Sequence, residues 1–330
     1  MKILRFQNSI VHWFETAARD LPWRKTSDPY KIWISEIMLQ QTGVSTVIPY
    51  FERFMKRFPD VKSLARSTED EVLHLWQGLG YYRRAKNLRE GAKLIVEKFA
   101  GKFPDTKEDL LEVPGIGPYS AGAILSIAFR KQAPALDGNL IRVYSRFYGI
   151  QDFVNDTKTL KKLWAIATEH TPSASKISRE FCEGMMELGA TICTPKNPKC
   201  KICPVAWGCI ARKDGNAETL PRKKMLRARE KYLEKVYLME KAGKFGFLKK
   251  GGDPKFPDFL RLPYEALTTE PSPNVDQRLF KYSVTHRDFK VFVERKTFRS
   301  KAKLIWVSKS KLSKILLPAI DRKILNAYIG

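Results

Sequence analysis

Apolar residues recur at helical spacing along roughly the first two thirds of the chain. Val72, Leu75, Trp76 and Leu79, for example, occupy positions i, i+3, i+4 and i+7, which is the spacing of one face of an α-helix. Pro and Gly residues separate such groups and mark the joints between helices. The pattern predicts that residues 1–210 are mostly helical.

A different pattern occupies the last third of the chain. Residues 211–232 are rich in Arg and Lys and poor in apolar residues, so we predict a basic linker there. The following segments VYLME, FGFL, YSVTHRDFKVFVE and LIWVS alternate as strands do. Two short helices are expected near 309–317 and 319–328. Residues 233–330 are therefore predicted to form a small α+β domain.

Charge narrows the choice of partner. The 330 residues include 60 Lys and Arg against 35 Asp and Glu, which gives a net charge of +25. An excess of this size favours a polyanionic partner, most simply nucleic acid, although a basic surface alone would also account for it. No apolar run is long enough to span a membrane, and residues 1–20 do not resemble a signal peptide. We expect a cytoplasmic protein with no membrane contact.

Four cysteines lie close together near the end of the helical part. Cys193, Cys200, Cys203 and Cys209 follow the spacing C-x6-C-x2-C-x5-C. Thiolates in such a window can hold either a zinc ion or an iron–sulfur cluster. The spacing alone predicts a metal centre without deciding between the two.

A glycine-containing turn precedes an apolar helix. Gly115 and Gly117 allow a tight turn before the segment 119–129, and the turn exposes N–H groups at a helix N-terminus. The sequence Pro-Gly-Ile-Gly between two helical segments resembles the helix–hairpin–helix motif, which binds the DNA backbone. The alternative is an ordinary connection between two helices.

Two carboxylates are isolated among uncharged residues. Glu36 is the one ionisable residue within 32–48, and Asp137 is the one charged residue within 132–141. Burial would raise the pKa of Glu36 and make it a proton donor near neutral pH. A capping or ion-paired Glu36 and an N-capping Asp137 are the structural alternatives. Together the two acids suggest glycosidic chemistry, with one protonating a leaving group and the other stabilising a sugar cation.

These features together closely resemble the MutY-type adenine DNA glycosylases of the endonuclease III superfamily. The resemblance covers most of residues 8–210. It rests on the cysteine spacing and on five further segments, which are Leu21–Arg24, Trp33–Thr42, Gln77–Tyr82, Pro114–Gly122 and Leu136–Asn139.

The resemblance implies a mainly α helix–hairpin–helix glycosylase fold in the catalytic domain, residues 1–210. A six-helix subdomain would span about 22–135, and a cluster subdomain would combine 1–21 with 136–210. The four cysteines would then hold a [4Fe–4S] cluster. Residues 233–330 would form a Nudix-like domain that recognises 8-oxoguanine and lacks the acidic helix needed for nucleotide hydrolysis.

The implied substrate is double-stranded DNA with adenine opposite 8-oxoguanine or guanine, bound by a monomer. The adenine would be flipped out of the duplex. Glu36 would protonate it, Asp137 would stabilise the sugar cation, and Tyr119 and Asn139 would support Asp137 and the sugar.

The resemblance also assigns binding residues. Arg24 and Glu183 would lie near the adenine edge, with Trp23 in the same pocket. Gln41, Leu79 and Tyr81 would wedge into the base stack, and Thr42 would contact the opposite base. In the second domain, Thr285 and His286 stand where the family usually has Phe-Ser-His, so the hydroxyl and the His are kept while the Phe is replaced by Val284.

Two other functions remain open. An endonuclease III-like glycosylase and lyase would act on oxidised pyrimidines, but it needs a lysine nucleophile where this chain has Tyr119. A noncatalytic iron–sulfur DNA-binding protein would fit the charge and the cysteines, but it leaves the isolation of Glu36 unexplained.

Overall fold

The protein folds into two compact units that do not follow the chain order. The computed structural model describes residues 1–173, 175–224, 228–271, 278–284, 286–295 and 303–329. The first unit combines Met1–Ser67 with Arg83–Met225, and the second combines Thr68–Tyr82 with Leu226–Gly330. No helix within the described ranges is long and apolar enough to cross a membrane.

The first unit is helical, as the apolar spacing predicts. Its helices, together with α5 of the second unit, are α1 (Lys2–Ala17), α2 (Pro29–Leu39), α3 (Val44–Arg57), α4 (Val61–Ala65), α5 (Glu69–Trp76), α6 (Arg83–Phe99), α7 (Lys107–Glu112), α8 (Pro118–Ala128), α9 (Gly138–Phe147), α10 (Thr157–His170), α11 (Ser175–Thr191) and α12 (Ile210–Lys213). Short 3-10 turns lie at Pro22–Lys25, Cys200–Ile202, Ala206–Gly208 and Ala217–Thr219.

The apolar stretch 32–48 does not form one helix, which differs from the simplest interpretation of its sequence. Helix α2 ends at Leu39, and α3 begins at Val44. The buried guanidinium of Arg84 donates to the carbonyl oxygens of Ile37 and Met38 at 2.8 and 3.0 Å. A cation that satisfies the last carbonyls of a helix stabilises its end, and this long-range contact cannot be seen in the local pattern.

The core that supports the start of α9 is formed mainly by helices α1, α9, α10 and α11. Side chains of α1, α9 and α11 pack into one cluster that includes Phe6, Ile10, Tyr144, Phe147 and Met185. Phe6 contacts the edge of Phe147 at a ring-centroid distance of 4.7 Å. Burial of large apolar side chains provides most of the driving force for such packing. The N-terminus of α9, where Asp137 lies, is thereby fixed in a rigid part of the unit.

The second unit contains two small sheets and a C-terminal helix. Its strands are β1 (Glu230–Tyr237), β2 (Glu240–Lys241), β3 (Lys244–Phe247), β4 (Tyr264–Leu267), β5 (Leu279–Val284), β6 (Arg287–Glu294) and β7 (Ile305–Ser308), and its last helix is α13 (Ala319–Ile329). One sheet has the order β4-β1-β6-β5 and the other β2-β3-β7. Strands β1 and β6 run parallel, with Leu233 opposite Lys290. The predicted α+β character is confirmed.

Two boundaries in the second unit differ from expectation. Strand β1 begins at Glu230, inside the stretch 211–232 predicted as a linker, because its charged residues pair with β6 as an outer part of the sheet. The predicted helix near 309–317 is a 3-10 turn at Lys309–Lys314, whereas the predicted final helix is present as α13. The charged composition of this stretch therefore led to a linker being predicted where the first residues of β1 lie.

A buried group of charges stabilises the second unit. Arg261 is fully buried and bonds Asp253 and Glu234 through N···O distances of 3.2 and 3.3 Å, and it also contacts Asp321. Asp321 in turn accepts the N–H of Leu262 at 2.7 Å. Because buried charges are costly unless paired, this group ties the loop before β4 to α13.

Candidate active site

Glu36 is the acid at the centre of the first unit. It lies in the middle of α2 and is only 5% exposed. The hydroxyl of Tyr119, on the first turn of α8, donates to Glu36 Oε2 at 2.7 Å. Burial raises the pKa of Glu36 to about 7, against the opposing effect of the Tyr119 hydrogen bond. Near neutral pH the side chain can therefore hold or release a proton.

The sequence explains why this acid is buried. Helices α2 and α8 are both apolar nearly all round, and their buried residues extend over Tyr30–Met38 and Ser120–Ile127 apart from Lys31. Helices of this kind have no solvent face and must pack against other elements. Each therefore covers the other, and the polar side chains of Glu36 and Tyr119 meet inside the contact.

Asp137 is both an N-cap and a second candidate acid. Its Oδ1 accepts the N–H of Leu140 at 2.8 Å, and its Oδ2 accepts the amide of Asn139 at 2.9 Å. Burial raises the pKa of Asp137, whereas these donors favour the carboxylate. The charge of Asp137 also raises the pKa values of Glu36 and Tyr119. The structure thus brings four predicted residues together in one partly buried group.

A close approach of two backbones supports this arrangement. The segment that leads into Asp137 runs against α8 at Gly122, where a Cβ atom would lie 2.0 Å from the carbonyl oxygen of Pro134. Only glycine leaves room for that contact. The predicted segment Pro114–Gly122 therefore includes a residue that helps to set the position of Asp137.

Arg142 contacts this group of side chains, and the sequence analysis missed it. Its guanidinium donates to Asn139 Oδ1 at 2.8 Å, to the carbonyl of Gly189 at 2.7 Å and to the carbonyl of Cys193 at 2.6 Å. It thereby orients the amide that bonds Asp137. A signal existed in the sequence, because Arg142 and Arg146 are four residues apart on the otherwise apolar face of α9.

Arg24 and Glu183 each have an ion-pair partner that the sequence did not predict. Arg24 Nη2 bonds Glu187 Oε2 at 2.7 Å. Arg179 lies 3.3 Å from Glu183 and also donates to the carbonyl of Arg24 at 2.7 Å. Burial raises the pKa of Glu183, and the charge of Arg179 opposes this. The charges of Arg24 and Glu183 both act on Glu36, so they lie near the candidate acid.

Three further predicted residues lie in the first unit. Trp23 is buried, with its ring edge against Phe51 at a centroid distance of 5.5 Å. Gln41 is exposed and has a left-handed backbone with φ of 57°. The hydroxyl of Thr42 accepts a hydrogen bond from Arg84 at 3.2 Å. Gln41 and Thr42 thus follow the end of α2 that Arg84 stabilises.

The glycine turn has the geometry that its sequence predicts. Helix α7 ends at Glu112 and α8 begins at Pro118. Gly115 has φ of 87°, and Gly117 is the N-cap of α8 with no side-chain capping bond. The first N–H groups of α8 are therefore available to an anion such as phosphate.

The cysteine window forms a half-buried loop. Burial raises the pKa of Cys203 to about 12, with further contributions from Cys193, Cys209 and Cys200. Arg146 Nη1 donates to Cys193 Sγ at 3.3 Å. Within the described ranges, no three His, Cys, Asp or Glu side chains converge as ligands of one metal ion. The charges of Cys193, Cys200 and Cys209 nevertheless all act on Cys203, and four thiols with a cationic donor suit a thiolate-bound cluster.

The remaining predicted binding residues belong to the second unit. Leu79 is buried, and Tyr81 is 58% exposed with φ of 49°. His286 follows β5 and lies 3.6 Å from the carboxylate of Glu230. Thr285 lies outside the described residues.

Comparisons with known proteins identify the sequence family of the chain. Residues 34–169 match the model for "HhH-GPD superfamily base excision DNA repair protein". The adenine DNA glycosylase of Buchnera aphidicola from Schizaphis graminum is 48% identical over 225 residues, which are 68% of this chain and 64% of that protein. The human adenine DNA glycosylase is 40% identical over 228 residues, or 66% of this chain and 41% of that protein. The chain thus aligns with less than two thirds of the length of these relatives.

Solved structures share the fold of about two thirds of this chain. A thermostable thymine-DNA glycosylase is 30% identical with a TM-score of 0.59, and the match covers 64% of this chain and 97% of that one. A non-covalent endonuclease III–DNA complex has a TM-score of 0.54 at 20% identity, over 65% of this chain and 98% of that one. The predicted helical fold with a small C-terminal sheet domain is confirmed, and the chain belongs to the HhH-GPD superfamily of base excision DNA repair proteins.

Proposed function

We propose that the protein is a monofunctional adenine DNA glycosylase that removes adenine paired with 8-oxoguanine or guanine. The similarity to adenine DNA glycosylases supports the base, and the net charge of +25 supports a DNA partner. The observation that carries the proposal is the buried Glu36 with its pKa raised to about 7 by burial. A neutral carboxylic acid at that depth is suited to protonate a flipped purine.

The chemistry divides between two carboxyl groups with different surroundings. Tyr119 bonds Oε2 of Glu36, so Oε1 would carry the proton to adenine N7 and later help to activate water. Asp137 has two donors on its carboxylate, and its negative charge would stabilise the sugar cation that forms as the base leaves. The different environments would thus favour a neutral acid at Glu36 and a negatively charged carboxylate at Asp137, as in other glycosidic sites.

The absence of a lysine at position 119 distinguishes this reaction from a lyase. A strand-cleaving enzyme of this superfamily needs an amine there to form a Schiff base with the sugar, and Tyr119 has none. Trp23, Arg24 and Glu183 would line the adenine pocket. The ion pairs of Arg24 and Glu183 with Glu187 and Arg179 would hold both side chains in fixed orientations.

Further residues would bind the mispair. Gln41, Leu79 and Tyr81 would fill space in the base stack, and Thr42 would contact the base opposite adenine. Gly115 and Gly117 would bind a phosphate at the N-terminus of α8. Thr285 and His286 would recognise 8-oxoguanine. We further propose that the protein acts as a monomer and works in the cytoplasm, on nucleoid DNA in a bacterial cell.

The four cysteines would hold a [4Fe–4S] cluster, which would contribute rigidity rather than a step of the reaction. The Arg146 donor to Cys193 and the mutual effects of the four thiols on the pKa of Cys203 support this donor set. The backbone carbonyl of Cys193 accepts from Arg142. A fixed cysteine loop would therefore help to hold the amide of Asn139 on Asp137.

Base release from defined duplexes tests the proposed function. Duplexes with adenine opposite 8-oxoguanine or guanine should yield free adenine, with strand breaks only after alkali or heat. Duplexes with thymine glycol, or with thymine opposite guanine, should stay intact. Glu36→Gln should lower adenine release by at least about 100-fold and keep mispair binding, because neither the fold nor the phosphate contacts need the proton.

The control for this variant is Glu97→Gln, which removes the same charge from an exposed position of α6 and should leave release unchanged. Strand breaks without heating, or release of thymine, would replace the proposal with a different glycosylase activity. Binding of every duplex without release of any base would favour a noncatalytic DNA-binding protein. Normal turnover by Glu36→Gln would remove Glu36 from the mechanism.

Glu36→Gln should also stabilise the fold in a pH-dependent way. The folded pKa of about 7 lies above the ordinary value of 4.5, so the contribution of the neutral acid is complete below about pH 4.5 and is lost as the pH rises through about 7. The difference corresponds to about 3 kcal/mol at most. The thermal midpoint of the variant should exceed the wild-type midpoint at about pH 8 and match it at about pH 5. Equal midpoints at both pH values would mean that Glu36 is not held as a neutral acid.

Tyr119→Phe should shift the pH profile of adenine release upward. Burial is the main cause of the raised Glu36 pKa, and the Tyr119 hydrogen bond opposes it by favouring the carboxylate. Wild-type single-turnover rates should fall above about pH 7, where the acid loses its proton. Without the hydroxyl the pKa rises further, so the fall should begin at a higher pH. A fall at unchanged or lower pH would contradict the role given to this bond.

The cluster proposal predicts a brown protein as purified. Iron and acid-labile sulfide should each be present at about four per chain, in line with four thiolate ligands. Cys203→Ser should lose much of the iron and lower the thermal midpoint, whereas the buried Cys182→Ser, outside the window, should keep it. Colourless protein with one zinc ion per chain would overturn the cluster assignment.

A further inference from the structure

The loop Gln77–Tyr82 has an unusual backbone. Gly78, Gly80 and Tyr81 all have positive φ, at 106°, 73° and 49°. Left-handed geometry is ordinary for glycine but costly for a bulky residue such as tyrosine. A strained residue of this kind persists only when its surroundings hold it in place. Tyr81 is nevertheless 58% exposed, so the restraint must come largely from other residues of the loop.

Part of the restraint comes from within the loop. The indole N–H of Trp76 donates to the carbonyl of Gly80 at 3.0 Å. The N–H of Gly78 donates to the hydroxyl of Tyr82 at 3.3 Å. These bonds close the loop over the end of α5. They also make its shape depend on where Tyr82 and the start of the loop are anchored.

The C-terminal part of the chain provides those anchors. Gln77 Nε2 donates to the carbonyl of Leu317 at 2.7 Å, and Gln77 Oε1 accepts from Arg322 Nη2 at 3.1 Å. Arg322 Nη2 also donates to the carbonyl of Ile315 at 3.1 Å. The nitrogen of the Gln77 amide thus bonds the segment that precedes α13, and its oxygen bonds the first turn of α13. Such a bidentate arrangement fixes direction as well as distance.

The other end of the loop has an aromatic anchor. The ring of Tyr82 contacts the ring of Phe259 at a centroid distance of 4.5 Å and an interplanar angle of 60°. This is a favourable geometry for an aromatic pair. Gln77 and Tyr82 therefore hold the loop at its two ends, through Leu317 and Arg322 at one end and Phe259 at the other. The exposed Tyr81 lies between them.

We propose that Gln77 and Arg322 are positioning residues that hold this loop in the shape needed to extrude adenine. The inference rests on the proposed function, in which Tyr81 and Leu79 wedge into the base stack. A preformed wedge does not lose conformational entropy when it enters DNA, so extrusion becomes more favourable. The C-terminal part of the chain then acts on base extrusion through the protein itself, in addition to any contact with the opposite base.

The test compares variants that remove the anchor without changing the wedge. Arg322→Met and Gln77→Met keep the length of each side chain and remove its hydrogen bonds. The readouts are single-turnover adenine release and the fluorescence of 2-aminopurine placed opposite 8-oxoguanine, which rises when the base leaves the stack. Each variant should lower both signals about tenfold, whereas Arg322→Lys, which keeps one donor, should recover part of the loss.

Lys250→Met is the matched control. Lys250 pairs with Asp70 at 2.7 Å on the first turn of α5, so the variant removes a contact of the same segment away from the loop. It should behave like the wild type in both readouts. A loss as large as that of Arg322→Met would mean that general docking of the segment matters, and would overturn the specific role of Gln77 and Arg322.

A double-mutant cycle separates positioning from stability. If Arg322 acts through the wedge, then Arg322→Met should have little further effect once Tyr81→Ala has removed the ring. If the losses caused by Arg322→Met and Tyr81→Ala multiply in the double variant, the two residues act independently and the proposal is overturned. A wild-type signal from Arg322→Met alone would also overturn it. If Arg322→Met does not fold, the same double-mutant cycle is measured with Gln77→Met and Tyr81→Ala. A wild-type protein that neither extrudes 2-aminopurine nor releases adenine would instead overturn the proposed function itself.

Discussion

The hydrogen bond between Tyr119 and Glu36 is the constraint on which the site depends. It joins two helices, α2 and α8, that have almost no polar side chains with which to contact each other. A buried carboxyl group without such a donor would be destabilised still further when ionised. With the donor, its pKa stays near 7 instead of rising beyond the range in which it can exchange a proton. Burial thus raises the pKa of Glu36 and the Tyr119 hydroxyl lowers it, and the result is a group that can exchange a proton near neutral pH.

The charges around this acid are arranged so that few of them are unpaired. Glu187 accepts from both Arg19 and Arg24, and Glu183 pairs with Arg179. Paired carboxylates can remain ionised in a buried site at lower cost than isolated ones. Glu36 has a tyrosine hydroxyl as its donor instead, which is neutral and stabilises a charge less strongly. Two guanidinium donors on Glu187 explain why its pKa is lowered, whereas one tyrosine hydroxyl on Glu36 leaves its pKa raised by burial.

The burial of Glu36 could be predicted from the sequence, whereas its contacts could not. The isolation of Glu36 and of Asp137 among uncharged neighbours was visible directly, because burial leaves a compositional trace along a helix. The partners came from far along the chain: Tyr119 is 83 residues from Glu36, and Arg84 is 47 residues from the carbonyl it stabilises. Local periodicity contains no information on such pairs, so both the end of α2 and the orientation of Asn139 by Arg142 could be found only in three dimensions.

The second unit shows the same limit in another form. Its strands alternate and were predicted, yet the 15 residues Thr68–Tyr82 join it from the middle of the helical part. Their apolar spacing predicted a helix correctly, as α5 confirms, but spacing does not say which core a helix packs against. The strained backbone at Tyr81 has a structural reason only in this context, since the residues that hold the loop lie more than 170 residues later. A change in those distant residues can therefore alter the shape of the loop, whereas a turn held only by local contacts would be unaffected.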